Sequence, residues 1–427
     1  MSRNIQPVTG MKDVLAADIG LWQHVERCSR AVMDAYGYEE IRVPVVEHTE
    51  LFKRAIGEYT DVVEKEMYTF TDQGGDSLTL RPEATAGIVR AAISNGLLRG
   101  ARLKLWCQGP MFRHEKPQKG RFRQFNQLDL EAIGFAGPDV DIEIIALTAR
   151  LWKLLGLTRV KLQINSLGTP ESRKAYRSLL QEYFRAHLDA LDEDGKRRLD
   201  GNPLRILDSK HPPTQAIVAN APVLTDHLDD ESRAHFAGLR AGLDALGIPY
   251  TVNPRLVRGL DYYSRTVFEW ITDALGSQDA VCSGGRYDGL IAQMGGESTP
   301  AIGWAMGVER VVELVRLAGQ SPAAPAPDVF VMAQGDAAQR TALTLAERLR
   351  DALPGRGVVF HCGSAKFKTQ FRRADESGAR LAVIVGDDEL ARGVIALKPL
   401  RGAETTQTEH PVAELSARVE EFLRRST

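Results

Sequence analysis

Between Gly109 and Gly134 the chain reads GPMFRHEKPQKGRFRQFNQLDLEAIG. Arg113, Lys116, Lys119, Arg121 and Arg123 crowd into its first fifteen residues, with Glu115 the only acid among them, and Gln127, Asp129 and Glu131 follow two residues apart. Strand residues alternate sides. In FNQLDLEAIG this sends Leu128, Leu130 and Ala132 one way and Gln127, Asp129 and Glu131 the other. Alternation of this kind is the usual pattern of a sheet with one wet face. The cations just upstream add a second reading, a surface that binds a phosphate beside an ammonium or imidazole.

Four further stretches carry groups able to do chemistry. In LTLRPEATAGIVRAA, Arg81-Pro82-Glu83 ends a strand and a helix starts near Ala84 or Thr85. Glu83 or Thr85 either caps that helix or grips an amino group. LVRGLDYYSRTVFEW, Leu256 to Trp270, places Arg258, Asp261, Tyr262 and Tyr263 within six residues. Paired tyrosines are commonly core residues with a hydroxyl at the rim. Arg258 either pairs with Asp261 or holds a carboxylate or phosphate by paired hydrogen bonds. SGGRYDGL, from Ser283, and AIGWAMGVERVVELV, from Ala301, are glycine clusters that tight turns explain equally well. The second turns from strand to helix near Glu309 and Arg310, and helix starts favour anions.

These side chains need elements to hold them. Leu21 to Tyr36 is an amphipathic helix ended at Gly37. EEIRVPVV reads as a strand, GPMFR and FRQFNQLDLEAIG as a hairpin around a Pro-Gln-Lys-Gly turn, and RTVFEWI and AIGWAM as further strands. Without regular intervening helices, an antiparallel sheet packed by helices is expected, an α+β domain. From Pro170 to Leu246 the sequence turns charged and helical and interrupts the strands, as an inserted module would. GQSPAAPAP, Gly319 to Pro327, is a linker. Beyond it strands and helices alternate, which predicts a small α/β domain with a mainly parallel sheet. The domains are therefore expected at 1–169 with 247–318, at 170–246 and at 328–427, with the linker over 319–327.

The 427 residues, 43% of them hydrophobic, suffice for two or three domains. A net charge of -2 excludes a generally basic nucleic-acid coat but leaves room for local basic patches. Cys28, Cys107, Cys282 and Cys362 lie far apart, with neither zinc-ligand spacing nor a disulfide framework. A reduced, cytoplasmic setting is the expectation. No signal peptide is read at the N-terminus and no membrane span anywhere. No metal-ligand motif is visible.

At this point a resemblance becomes specific. GYEEIRVPVVE, FRHEKPQKGRFRQFNQLDLEAIG and GWAMGVER resemble motifs 1, 2 and 3 of the class II aminoacyl-tRNA synthetases, in the right order. LVRGLDYY and SGGRYDGL resemble the two signature segments of the histidyl-tRNA synthetase family, and FRRADESGARLAVIVGDDELARGVIALKPL resembles that family's anticodon-binding domain. The resemblance implies a class II catalytic domain, a helical insertion and an α/β anticodon-binding domain. It implies activation of histidine on ATP, with magnesium accompanying the nucleotide, and transfer of the histidyl group to the 3' end of histidine tRNA. It also implies a homodimer, because motif 1 builds a dimer interface in this class.

By the same resemblance Arg113 and Arg258 hold the α-phosphate as catalytic groups, and Arg310 and Arg121 sit by the outer phosphates. Phe125 stacks on adenine. Glu83, Thr85 and Gln127 bind the α-amino group, while Glu131 and Tyr263 face the imidazole with Tyr262 close by. Ala84, Trp304 and Ser264 depart from the residues commonest in the family. Two other readings are a histidine-sensing regulatory paralogue of ATP phosphoribosyltransferase and a non-catalytic tRNA-binding sensor. Retention of Arg113, Arg258 and Arg310 and the extra C-terminal domain argue against the first, and the absence of a kinase segment against the second.

Overall fold

A computed structural model describes residues 4–57, 60–100, 102–116, 120–209, 211–260, 262–276, 280–320, 326–402 and 406–425. Residues 117–119 of the expected turn, Asp261, and 321–325 of the expected linker lie outside these. The chain divides into two compact units, Met1–Pro322 and Ala323–Thr427.

In chain order the strands of the first unit are β1 (Glu39–Glu40), β2 (Val46–His48), β3 (Tyr68–Thr71), β4 (Ser77–Leu80), β5 (Leu103–Phe112), β6 (Gln124–Ile133), β7 (Lys161–Ser166), β8 (Tyr250–Val252), β9 (Ser264–Ile271), β10 (Ala280–Arg286) and β11 (Ala301–Gly307). Eight of them form one sheet in the order β1-β5-β6-β11-β10-β9-β7-β8. It is antiparallel from β5 to β7, with β1 and β8 added in parallel at the edges. The expected hairpin is the β5–β6 pair, with Cys107 opposite Asp129 and Leu105 opposite Glu131.

The alternation in β6 decides the layers. Leu128, Leu130 and Ala132 enter the main core with residues from helices Ala16–Ala35, Pro138–Leu154, Asp230–Ala245 and Val308–Leu317. The first of these helices buries Val25, Cys28, Ser29, Val32 and Met33, a three-and-four spacing that makes one apolar stripe. It ends where Gly37 adopts φ 71°, a left-handed conformation that an L side chain disfavours. Each fully buried leucine or phenylalanine in such a core contributes about 1.5–3 kcal/mol. On the sheet's other face, Ala84, Ile88 and Ala91 at and within helix Thr85–Ser94 cluster with Leu105, Cys107 and Met111 of β5.

EEIRVPVV is not one strand. β1 ends at Glu40, and β2 joins a separate three-stranded sheet, β2-β4-β3. Pro44 has no N–H to donate, and the carbonyls on either side of it bind Arg81: Val43 O accepts from Nη1 at 2.9 Å and Val45 O from the backbone N–H at 2.9 Å.

The described residues of 170–246 are mainly helical. Asp229 fastens their start to their end, accepting from Ser172 Oγ (2.6 Å) and Thr169 Oγ1 (3.0 Å) while its other oxygen caps the next helix through the Ser232 N–H (2.7 Å). That next helix, Asp230–Ala245, buries Phe236, Leu239 and Leu243 in the main core of the sheet.

The second unit contains β12 (Val329–Gln334), β13 (Val358–Phe360), β14 (Leu381–Gly386), β15 (Val394–Pro399) and β16 (Thr408–Pro411), in the order β13-β12-β14-β15-β16. The expected parallel pairing holds for β12 with β13 and β14, but β15 and β16 are antiparallel. The connection from Gly386 to Val394 is too short for a parallel crossover, which needs about a dozen residues or more. Helices Asp336–Ala352 and Leu415–Arg425 pack into one core cluster with the inner strands.

Candidate active site

The polar row of β6 forms one floor. Gln127 lies between Gly109 and Gly307, Asp129 between Cys107 and Ala305, and Glu131 between Leu105 and Gly303. A side chain at position 303 would collide with the Glu131 carboxylate, so glycine there is what gives that carboxylate its place. Glu131 is 1% exposed. Its Oε1 accepts from the Thr85 hydroxyl at 2.6 Å and its Oε2 from the Tyr287 hydroxyl. Burial pushes its pKa up to about 8, against the lowering by those two hydroxyls and with a further rise from the Glu83 charge. Glu83 is buried too, and both its oxygens accept N–H groups at the start of the next helix, from Thr85 (3.1 Å) and Ala86 (2.9 Å). The capping expected of it is therefore present. Asp129 and Gln127 are buried beside them.

Tyr262, Tyr263 and Tyr287 form an aromatic wall, with ring centroids 4.7 Å apart for the first pair and 5.6 Å between Tyr262 and Tyr287. Tyr287 is anchored through its neighbour Arg286. This fully buried guanidinium lies 2.7 Å from Asp141 Oδ1, while His235 Nε2 is 2.7 Å from Asp141 Oδ2. Arg258 stands over the Tyr263 ring at 5.7 Å and pairs with Glu269 at 2.8 Å, an oxygen that also accepts from the Ser283 hydroxyl at 2.9 Å. Two arginines from the helical stretch 170–246 hold the backbone of this segment: Arg205 donates to Arg258 O at 3.3 Å and Arg173 to Tyr263 O. Arg205 also pairs with Asp61 at 3.4 Å. Arg265 is the one described non-glycine residue with positive φ, at 48°. Its own peptide groups are fixed by Gly168 O (2.8 Å) and the Leu167 N–H (2.6 Å), which offset the strain.

The cationic side of the site is built on the segment between β5 and β6. Arg113 donates Nε to Pro82 O at 2.8 Å and lies 5.6 Å from the half-buried Phe125 ring. Arg121 pairs with Glu115 at 2.8 Å. Arg123 fixes the end of the segment, its N–H donating to Gly10 O at 2.7 Å, where Gly10 has φ 83°. Arg310, in the first turn of helix Val308–Leu317, is 7% exposed and lies beside Gly120 and Gly307. Glu309 next to it accepts from Asn126 N–H at 2.8 Å.

Glu83, Thr85, Gln127, Glu131, Tyr262, Tyr263 and Arg258 thus gather on β6, the helix start and the loop before β9, and Arg113, Arg121, Phe125 and Arg310 on the β5–β6 connection, the first residues of β6 and the start of helix Val308–Leu317. Sequence reasoning gave no role to Tyr287, Glu269 or Ser283. Tyr287 stood in a quoted segment, SGGRYDGL, but its glycines drew attention to the turn. Among the described residues no group of three or more His, Cys, Asp or Glu is placed to hold a metal ion.

An antiparallel sheet with a buried polar strand, an arginine-bearing turn beside it and a helix that starts at the sheet's end makes the first unit a class II aminoacyl-tRNA synthetase fold. A family model described as histidyl-tRNA synthetase matches residues 10–311, and one described as an anticodon binding domain matches 328–422. The chain belongs to the histidyl-tRNA synthetase family. The apo crystal structure of S. aureus histidyl-tRNA synthetase is 36% identical, with a TM-score of 0.81 over 98% of this chain and 99% of that one. Histidyl-tRNA synthetase from Nostoc sp. PCC 7120 (21% identity, TM-score 0.68, 99% of this chain and 100% of that one) shares the fold. So does a protein from Bacillus halodurans titled an ATP phosphoribosyltransferase regulatory subunit/histidyl-tRNA synthetase, at 22% identity, TM-score 0.64 and 90% and 99% coverage.

Proposed function

We propose that the protein activates histidine on ATP and transfers the histidyl group to the 3' end of histidine tRNA. In the first step a histidine carboxylate oxygen attacks the α-phosphorus. The bond to the bridging oxygen breaks, and pyrophosphate leaves with the electron pair. In the second, a hydroxyl of the tRNA's terminal ribose attacks the activated carbonyl carbon and AMP leaves.

Arg113 and Arg258 face the charge that grows at the α-phosphate, where a preorganised donor is commonly worth about 2.7–4 kcal/mol. Arg310 and Arg121 take the outer phosphates and Phe125 the adenine ring. Glu131, with Tyr263 and Tyr262 beside it, takes the imidazole; Glu83, Thr85 and Gln127 take the amino group. Magnesium arrives as part of the ATP substrate. In this reading 1–169 and 247–318 form the catalytic domain, 170–246 the inserted module with its last helix built into the catalytic core, and 328–427 the anticodon-binding domain. The protein works as a cytoplasmic homodimer. No described helix is long and apolar enough to cross a membrane.

The observation that carries this reading is the juxtaposition at Glu131. A carboxylate fixed by two hydroxyls lies in one aromatic pocket with a guanidinium held by Glu269. A histidine sensor needs the first part, and adenylate formation needs both. The test is transfer of labelled histidine to tRNA by the full chain. Charged, acid-precipitable tRNA is expected. Histidine binding without charging would support the regulatory reading instead.

A further inference from the structure

Asp129 has no part in the roles above. It is fully buried on the polar face of β6, two residues from Gln127 and two from Glu131, which places each neighbour about 6.6–7 Å along the strand. Neither of its carboxylate oxygens has a hydrogen-bond partner among the described residues. A buried carboxylate without donors is costly unless a proton or a cation accompanies it. The nearby guanidinium groups are engaged elsewhere: Arg81 donates to Val43 O and Pro110 O, each at 2.9 Å, and Arg113 to Pro82 O. Burial, then the charges of Glu131 and Glu83, raise the Asp129 pKa well above the usual carboxylate range, against lowering by Arg81 and Arg113.

We propose that Asp129 is a specificity-determining anchor for the α-ammonium group of the amino-acid substrate, acting together with Gln127. This deepens the reading of the site as one that activates histidine and rests on it. The argument is a count of acceptors. An ammonium offers three protons and needs three acceptors. Each Glu83 oxygen already receives one helix N–H and each Glu131 oxygen one hydroxyl, so Glu83 meets the ammonium with the lone pairs that remain. The buried acceptors left without donors on this strand are Gln127 Oε1 and the two oxygens of Asp129. An ammonium docked between these groups and Glu83 brings them the donors they have not found.

The experiment measures binding to full-length protein of two ligands, histidine and imidazole-4-propionate, which lacks the amino group. Asp129→Asn keeps the shape and removes the charge. It is expected to weaken histidine by roughly 10- to 100-fold, the usual consequence of losing one partner of a buried charged pair. The des-amino ligand should change less than about twofold. The rise in Tm that histidine gives the wild type should shrink, while the Tm without ligand holds steady or rises. Asp129→Ser serves as a second variant should the first not fold. Equal weakening of both ligands, or of neither, in a wild-type background that binds and activates histidine, overturns this inference alone. Wild-type protein that does not bind histidine overturns the reading of the site and this inference with it.

Discussion

Glu131 is 1% exposed and meets hydroxyls from a helix and from the end of another strand, Thr85 and Tyr287. The side chain of Arg121 is 38% exposed, and its partner Glu115 lies six residues away in the same loop. The contrast extends to some of their neighbours, though Arg310 is itself buried. On the side proposed for the amino acid, Tyr287 is fixed through Arg286 and Asp141, and Arg258 through Glu269 and the carbonyl that Arg205 holds, all from other elements of the fold. On the side proposed for the nucleotide, Arg121 pairs with Glu115 of its own loop, a contact that an incoming phosphate would replace, and Arg113 is held, among the described residues, only through Nε, by Pro82 O. Selection among amino acids depends on polar groups that are costly to leave unpaired. Phosphates are the same in every cycle and can be met by groups that reorganise.

If the contrast is right, damage on the two sides will differ in kind as well as size. The largest effect is expected for Arg258→Ala, where the pocket reaches the reacting phosphate. Single-turnover adenylate formation should slow by roughly 10²–10³ with the fold intact. An unchanged rate would leave Arg258 as only a structural partner of Glu269. Next is Glu131→Gln, expected to raise the KM for histidine by about 10- to 100-fold with the KM for ATP little changed. Equal rises for both substrates would erase the distinction between the two sides.

The same residue gives a pH signature. Glu131 titrates at about 8 and a free imidazole at about 6.5. Their complex shares one proton. Below the lower value the separated pair carries two protons and one must leave; above the higher it carries none and one must be gained. Histidine affinity should therefore peak between them and fall about tenfold per unit on either side. Calorimetric titrations across this range should show the alkaline arm shrinking in Glu131→Gln. The raised value also means that the free protein loses stability as pH rises from about 4.3 to about 8, because only the folded state keeps that proton.

Smaller effects complete the comparison. Arg121→Ala, on the exposed side, should raise the KM for ATP by about two- to fivefold and leave histidine binding alone. Arg205→Met, which touches neither substrate, should raise the KM for histidine by a similar factor through the Arg258 carbonyl, with Arg205→Lys recovering part of it. A larger effect of Arg205→Met on ATP than on histidine would contradict the assignment of the inserted region's arginines to the amino-acid side.

Much of this was legible in the sequence because it is local. The period-two alternation of β6 fixed which residues share a face, and the strand-to-helix transition at Arg81-Pro82-Glu83 located the cap. What was not legible depends on register and distance. Tyr287 reaches Glu131 across 156 positions, and nothing in SGGRYDGL announces that pairing. Glu269 became the partner of Arg258 through the alignment of Ser283 with Glu269 across β9 and β10. Asp129 was visible as the middle of an acidic row, yet its lack of donors is a property of everything packed around it. The break at Pro44 and the antiparallel half of the second sheet were missed for a related reason. A strand's composition says less about its partner than the carbonyls and connections beside it do.

The most direct test is amino-acid-dependent pyrophosphate exchange by the full-length protein, run with histidine and with each other standard amino acid. The two-sided site predicts exchange with histidine alone, and loss of that exchange at subsaturating histidine in Glu131→Gln, recovered as histidine is raised. Histidine bound without any exchange, or exchange that another amino acid supports as well, would contradict the account.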